Sequence, residues 1–340
     1  MNPIRPRYGR LLGDFAVGEI YDHPWEVTID GGAVALFQAS FLDAHPMFSS
    51  TEYARLCGLR ERPLHPLLCL NLGLSFSVHD VSEQAIAHLA YLDVRFPQAG
   101  YVGHTVRARS QVLEVKPSSA GDKGVVHVVT ELVTERGECL CVFERKALIR
   151  AGRSSAPAGV SGTIKRPAAY ANRPTELREG GSAPFTIGQV YLHQIGKTIG
   201  ESEHMQLTAL LRNSHPLHFD ELYCKESSFQ KTRVVYGGLV FAWSYSLASR
   251  DLAQRGVWEL GFDAGAHPNP VLAGDTIYAA SKVLAVSGSE VTFRLVGVKN
   301  LTSDQAFSKY GEALFEPELA KSEKIKEKVF EITRTLLVRS

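Results

Sequence analysis

FAVGEIY, Phe15 to Tyr21, returns as FTIGQVY, Phe185 to Tyr191, and the fold follows from how much else returns with it. At the same spacing of 170, Thr28-Ile29 falls on Thr198-Ile199 and His45-Pro46 on His215-Pro216. Further on, Gly103-His104-Thr105 matches Gly274-Asp275-Thr276 at 171, so one residue has been gained in between. A match at a fixed period means that one structural unit is made twice. Between the copies lies RAGRSSAPAGVSGTIKRPAAYANRPTELREGGSAP, rich in Gly, Pro, Ser and Ala and without apolar periodicity, which predicts a linker crossing the surface. Domains are expected over 10–152 and 184–340, with the linker at 153–183. Doubling the gene of a symmetric homodimer gives such a chain, a pseudo-dimer whose copies are free to specialise.

Inside each copy the order of patterns is similar. An entry strand, EIYDHPWEVTI in the first copy, leads into apolar residues spaced three and four apart, GAVALFQASFLDAH and ESEHMQLTALLRN, which predict a helix. A polar turn follows, RNSHPLHFDELY in the second copy, and then a second apolar helix, LHPLLCLNLGLSFSV or VYGGLVFAWSYSLA. Alternating strands come next: HTVRARSQVLEV, GVVHVVTELVT and CLCVFERKALIR, then DTIYAASKVLAV, EVTFRLVGVKN and VFEITRTLLVR. Each copy is therefore α+β, one long buried helix with an antiparallel sheet wrapped around it.

The bulk numbers set limits on function. The 340 residues fit two domains, and Lys+Arg 37 against Asp+Glu 36 leaves no basic surplus for nucleic acid or a membrane surface. Neither a signal peptide nor a membrane-spanning run is visible, so the expectation is a cytoplasmic protein. Cys57, Cys69, Cys139, Cys141 and Cys224 form no regular framework, which predicts free thiols and neither a metal site nor disulfides.

The doubled helix-in-sheet pattern resembles the double hotdog fold, and the turn resembles the signature of the MaoC-like, R-specific enoyl-CoA hydratases. That signature runs Asp-x-Asn-Pro-x-His, with a His-Gly pair a few tens of residues on and a later Pro-x-x-x-Gly-Asp-Thr. The second copy offers Asn213-Ser214-His215-Pro216-Leu217-His218, then Tyr236-Gly237, then Pro270 to Thr276. EHMQ at Glu203, RVVYGG at Arg233 and HPNPVLAGDTIY at His267 look like the mesaconyl-CoA hydratase branch, also called β-methylmalyl-CoA dehydratase. The first copy departs from the signature: Phe48 stands where the catalytic His belongs, and His65-Pro66 replaces His-Gly. Phe cannot carry a proton and Pro66 has no backbone N–H, so the first copy is expected to be catalytically silent.

The resemblance implies hydration of a 2-enoyl-CoA, a reaction that needs no cofactor, coenzyme A being part of the substrate. His218 is the expected acid/base and Asn213 the holder of the water. Gly237 and Gly238, with Tyr236 before them, are expected to meet the thioester oxygen at a helix start, and Arg233 to bind substrate. Because an amide cannot accept the water's proton, a carboxylate from elsewhere is sought, with Glu203 and Asp220 as candidates. Arg212 and Arg95 are further candidates for meeting a substrate carboxylate, and His267 and His204 are carried by the resemblance. His215, matched by His45 in the silent copy, reads as architecture, and Asn213 doubles as a left-handed helix terminator. With one histidine carrying the chemistry, the rate should follow an ionisation near its pKa, and a profile flat from about pH 5 to 9 would count against it. The alternatives are a hotdog thioesterase and a non-catalytic acyl-CoA-binding protein; whether chains pair into a further homodimer is left open.

Overall fold

The computed structural model describes residues 3–4, 8–154, 156–167, 185–318 and 324–339. The first copy runs β1 (Glu19–Thr28), α1 (Gly31–Phe41), α2 (Pro46–Ser49), α3 (Thr51–Leu56), α4 (Pro66–Phe76), β2 (Ala85–Arg95), β3 (Thr105–Pro117), β4 (Lys123–Thr134) and β5 (Cys139–Arg150), with a two-residue β6 (Val160–Ser161) after it. The second runs β7 (Val190–Leu192), β8 (Lys197–Thr198), α5 (Glu201–Leu210), α6 (Glu221–Ser227), α7 (Gly237–Leu252), β9 (Gly256–Ala266), β10 (Thr276–Ser287), β11 (Glu290–Lys299), α8 (Ser303–Tyr310) and β12 (Lys328–Val338).

The strands join one 12-stranded antiparallel sheet whose order, β1-β3-β4-β5-β2 against β9-β12-β11-β10-β7, reads the same from either end. Its midline is the pairing of β2 with β9, at Tyr91 with Gly265, Val94 with Phe262 and Arg95 with Gly261. Each half of the sheet curls around one apolar helix, the doubled arrangement that the resemblance implied. All eleven residues of α4 are buried, and α7 is buried along nearly its whole length. Burying one Leu or Phe is worth about 1.5–3 kcal/mol, so these two helices carry much of the core. They also touch one another: Asn71 of α4 donates to the Gly238 carbonyl of α7 at 3.3 Å. A side chain at position 238 would place its Cβ 1.8 Å from Asn71 Oδ1, so only glycine fits there.

Three His-Pro pairs open helices in the same way. Proline supplies the fixed φ of the first helical residue, and the histidine Nδ1 accepts the backbone N–H two residues on. The bonds are His45 with Met47 at 3.2 Å, His65 with Leu67 at 3.0 Å and His215 with Leu217 at 3.1 Å. Backbone irregularities repeat between the copies as well. Leu42 and Arg212 both take a left-handed conformation, φ 58 and 63, where α1 and α5 end, and Asp93 and Ala264 do so, φ 45 and 50, inside the two midline strands. The left-handed terminator is therefore Arg212, and Asn213 is the residue after it, contrary to expectation. A clasp on a buried histidine is doubled too: His23 bridges Asp80 and Ser110 at 2.9 and 2.8 Å, and His193 bridges Asp251 and Ser281 at 2.6 and 3.0 Å.

Two departures from the sequence reading bear on the site. The midline strands β2 and β9 were missing from it altogether. The linker expected at 153–183 falls outside the described residues from 168 to 184, and its described part does not simply cross the surface. There Val160 and Ser161 pair with β1, and Ile164 is buried. All five cysteines are free. Among the described residues, no helix is long and apolar enough to cross a membrane.

Candidate active site

A cavity of about 510 Å3 opens between the copies. The second copy contributes the turn after α5 (Asn213, His215, Leu217, His218), the start of α7 (Tyr236, Gly237) and the segment after β9 (His267, Asn269). The first contributes the end of α4 (Leu74), strand β2 (Ala87, His88, Tyr91) and strand β5 (Arg145, Arg150). No Asp or Glu is among the described residues that line it, whereas two arginines are.

His218 is held at one nitrogen. Its Nδ1 lies 2.7 Å from the Val234 carbonyl, which can only accept, so Nδ1 carries the proton and Nε2 keeps its lone pair. Burial pushes its pKa down to about 4, against the opposing pull of the Val234 bond, so the ring is neutral at pH 7. Asn213 is fixed by the N–H of His215, donated to its Oδ1 at 2.9 Å, which leaves the amide NH2 as its free donor. That group faces Tyr236, whose hydroxyl sits near Ser75 and Asn213, buried and without a hydrogen bond of ordinary geometry. Burial pushes the Tyr236 phenol up to about 12. The Tyr236 and His218 rings are in contact, with centroids 5.4 Å apart.

Gly237 is the first residue of α7, and a helix N-terminus offers unpaired N–H groups with the positive end of the dipole behind them. A Cβ at 237 would come within 2.9 Å of His267 Nε2, so glycine lets His267 close over the helix start. His267 Nε2 also lies 3.3 Å from the Tyr91 hydroxyl, and burial lowers its pKa to about 4.

Several expected residues stand elsewhere. Glu203 pairs with Lys197 at 2.8 Å and caps Gly200, and Asp220 caps α6 by accepting the N–H groups of Leu222 and Tyr223. Neither carboxylate reaches the cavity. Arg233 is engaged by Glu201 at 2.7 Å and Glu221 at 3.4 Å, Arg212 is exposed, and Arg95 is spent on Asp93 and the Pro167 carbonyl. Gly238 packs under Asn71 and does not line the cavity. His204 is buried behind His218, near enough for its charge to oppose protonation there. Asp275 accepts the Leu272 N–H at 2.9 Å in the turn before β10. His88, Tyr91, Arg145 and Arg150 line the cavity and were absent from the sequence reading. The signal that points to His88 is the repeat itself: at a spacing of 171 it falls on Glu259 of β9, one of several unlike pairs by which the copies differ around the pocket.

Comparison with known proteins bears on the family and the fold. Residues 5–176 match the family model described as mesaconyl-CoA hydratase, and residues 182–304 match a MaoC-like domain. A mesaconyl-CoA hydratase from Cereibacter sphaeroides is 32% identical over 296 residues, covering 83% of this chain and 85% of the relative. A beta-methylmalyl-CoA dehydratase from Chloroflexus aurantiacus is 32% identical over 294 residues, 82% of each. Among solved structures, a putative MaoC domain dehydratase from Chloroflexus aurantiacus superposes with a TM-score of 0.81 at 27% identity, over 99% of this chain and 100% of that one. A conserved hypothetical protein of Mycobacterium tuberculosis, described as having a double hotdog fold, superposes at 0.73 with 18% identity, over 97% and 98% of the two chains.

Proposed function

The chain belongs to the mesaconyl-CoA hydratase family, and from that premise we propose that it reversibly hydrates a branched 2-enoyl-CoA, with mesaconyl-CoA and β-methylmalyl-CoA as the pair of first choice. One observation carries the site assignment: His218, neutral and fixed in one tautomer, faces a cavity with no carboxylate among the described residues lining it.

That arrangement favours chemistry on one base. His218 Nε2 takes a proton from a water as the water's oxygen bonds to the β-carbon. The electron pair of the double bond moves toward the thioester oxygen, and the same proton returns from His218 to the α-carbon. Asn213 donates its amide to the water's oxygen, and the Gly237 N–H at the helix start meets the charge that develops on the thioester oxygen. The imidazole is suited to both steps because it can accept and then release one proton without leaving a buried charge behind. Phe48, in the place of His218, supports a silent first copy that supplies one wall of the site. The thioesterase alternative loses ground because its carboxylate nucleophile or base would have to stand in this cavity.

The test follows the enoyl-thioester absorbance band with purified protein and a panel of 2-enoyl-CoAs. The reading expects the band to disappear and His218→Ala to slow its loss by at least about 100-fold, the usual span of acid–base catalysis. Release of free thiol with the double bond intact would make the protein a thioesterase, and absence of turnover on every thioester would make it a binding protein.

A further inference from the structure

Among the described residues, Arg145 is a buried cation without a counter-charge. It is 2% exposed, and its hydrogen-bond acceptors are neutral: Ser77 Oγ at 2.7 Å, the Ser77 carbonyl at 3.5 Å and Ser82 Oγ at 3.2 Å. Its Nε is buried with no acceptor at all. Around it in the cavity stand Tyr91, Tyr236, His88 and His267, none of them anionic at neutral pH. Burial lowers the guanidinium pKa to about 10, which still leaves it charged. Removing an unpaired charge from water costs several kcal/mol, and a fold keeps such a group only where something offsets that cost.

The second copy contains the same arginine with its partner in place. Arg145 of β5 stands opposite Tyr91 of β2, and Arg334 of β12 stands opposite Phe262 of β9, so the two arginines are equivalent by register. By the same register His88, opposite Ala147, is equivalent to Glu259, opposite Leu336. Arg334 and Glu259 form a buried pair, NH2 to Oε2 at 2.5 Å and Nε to Oε1 at 3.3 Å. In the first copy the arginine has been kept, the carboxylate has become His88, and the space beside it has opened into the cavity. Both His88 nitrogens are buried without a partner, so the histidine does not replace the glutamate's bonds.

We propose that Arg145 receives a carboxylate carried on the substrate's acyl group, filling the place that Glu259 fills beside Arg334. Arg145 is thus the residue that tells a dicarboxylic acyl thioester from a neutral one, and it comes from the copy that lacks the catalytic histidine. The planar guanidinium is suited to this because it pairs with a carboxylate through two parallel bonds, which a lysine does not reproduce. The proposal rests on the acyl-CoA reading of the cavity and goes beyond it in naming the residue that meets the acyl chain's carboxylate.

Binding of saturated, unreactive thioesters tests it apart from catalysis. Calorimetric titration should show methylsuccinyl-CoA binding about 30-fold more tightly than 2-methylbutyryl-CoA, the span expected of hydrogen bonds to a charged group. In Arg145→Gln that preference should fall to within about 3-fold through loss of the dicarboxylic ligand alone, with melting temperature unchanged or raised because an unpaired charge has gone. His88→Glu, which restores the internal partner, should abolish the preference in a folded protein. Equal binding of the two thioesters by the wild type, or an equal loss of both in Arg145→Gln with a lowered melting temperature, overturns the proposal. Should the wild type prefer the dicarboxylic thioester yet hydrate no 2-enoyl-CoA, the hydratase reading fails and the assignment of Arg145 stands.

Discussion

At positions 48 and 218 the two copies set a phenyl ring and an imidazole at the same point of the same fold, and the contrast continues around the pocket. Phe96 answers His267, Trp258 answers Ala87, Tyr245 answers Leu74 and Glu259 answers His88. In the closed half-site the rings fill the space: Phe48 packs on His65 at 4.5 Å, Trp258 donates to the Phe96 carbonyl at 3.1 Å, and Tyr245 lies under Arg334 at 4.1 Å while donating to Glu259. What remains is about 10 Å3, against about 510 Å3 in the open half-site. The frame is shared down to its His-Pro caps and left-handed residues, so one scaffold yields a packed core or a reaction chamber according to a handful of side chains. The two half-sites treat the equivalent arginine differently: one pairs it with Glu259, and the other leaves Arg145 and His88 without a charged partner among the described residues.

The largest expected effect touches the buried histidines, the two shared caps and the two found in the open half-site alone. The cap histidines His45 and His215 are held neutral with pKa values of about 3, and His218 and His267 with values of about 4, in each case chiefly by burial. In the unfolded chain these rings protonate near 6.5, so stability is complete above that value and is lost as pH falls from 6.5 toward 4. At pH 5 the loss is roughly 2 kcal/mol for each ring, visible as a steep drop in melting temperature between pH 7.5 and 5. A melting temperature independent of pH over that range would mean that the rings are not desolvated as described.

Next come substitutions that copy one half into the other. His218→Phe, the residue of the closed half, should reduce kcat about 1000-fold with the fold intact, because a phenyl ring fits this scaffold but moves no proton. In the opposite direction, Glu259→His copies the open half and takes from Arg334 its hydrogen-bonded carboxylate, leaving only the more indirect pull of Asp43, a loss of about 3 kcal/mol in urea unfolding. A loss near zero would show that the closed half does not depend on its ion pair. Ala87→Trp should raise KM about 30-fold or more by filling the acyl space, with little change in stability, since Trp258 is accommodated at the equivalent place. The smallest effect is expected at Asn213→Asp, which restores the acid of the closed half. It keeps the bond to the His215 N–H and, by our account, lowers kcat about 10-fold by exchanging a donor to the water for a charge.

Much of the frame was legible because repetition is a strong signal. The matched anchors located the doubling, and the apolar spacing located α4 and α7. The strands β2 and β9 escaped because each lies in the other's company at the midline, where cross-copy packing sets the pattern of side chains. Strand β2 carries Ala87, His88 and Tyr91, so much of the wall that the silent copy lends to the site was not visible in the sequence. Glu203 and Asp220 were proposed from nearness in sequence, which places them at helix starts, where a carboxylate has a ready partner in the backbone. The pocket is assembled from segments far apart in the chain, and only register across the sheet brings Arg145 to the chamber that the turn holding His218 also lines. Burial, which no residue type announces, also changes the expected pH behaviour: a histidine with a pKa of about 4 is already in its base form throughout the neutral range.

The central claim is that a single neutral histidine runs the reaction in a chamber with no carboxylate among the described residues lining it, and one measurement tests this most directly. It is the pH dependence of kcat/KM for a branched 2-enoyl-CoA over the range in which the protein stays folded. The account predicts a level profile from about pH 5.5 to 8, since His218 titrates below that window and Tyr236 above it. A fall centred near pH 6.5, or a second ionisation inside the window, would contradict it by revealing a solvated histidine or a second proton carrier.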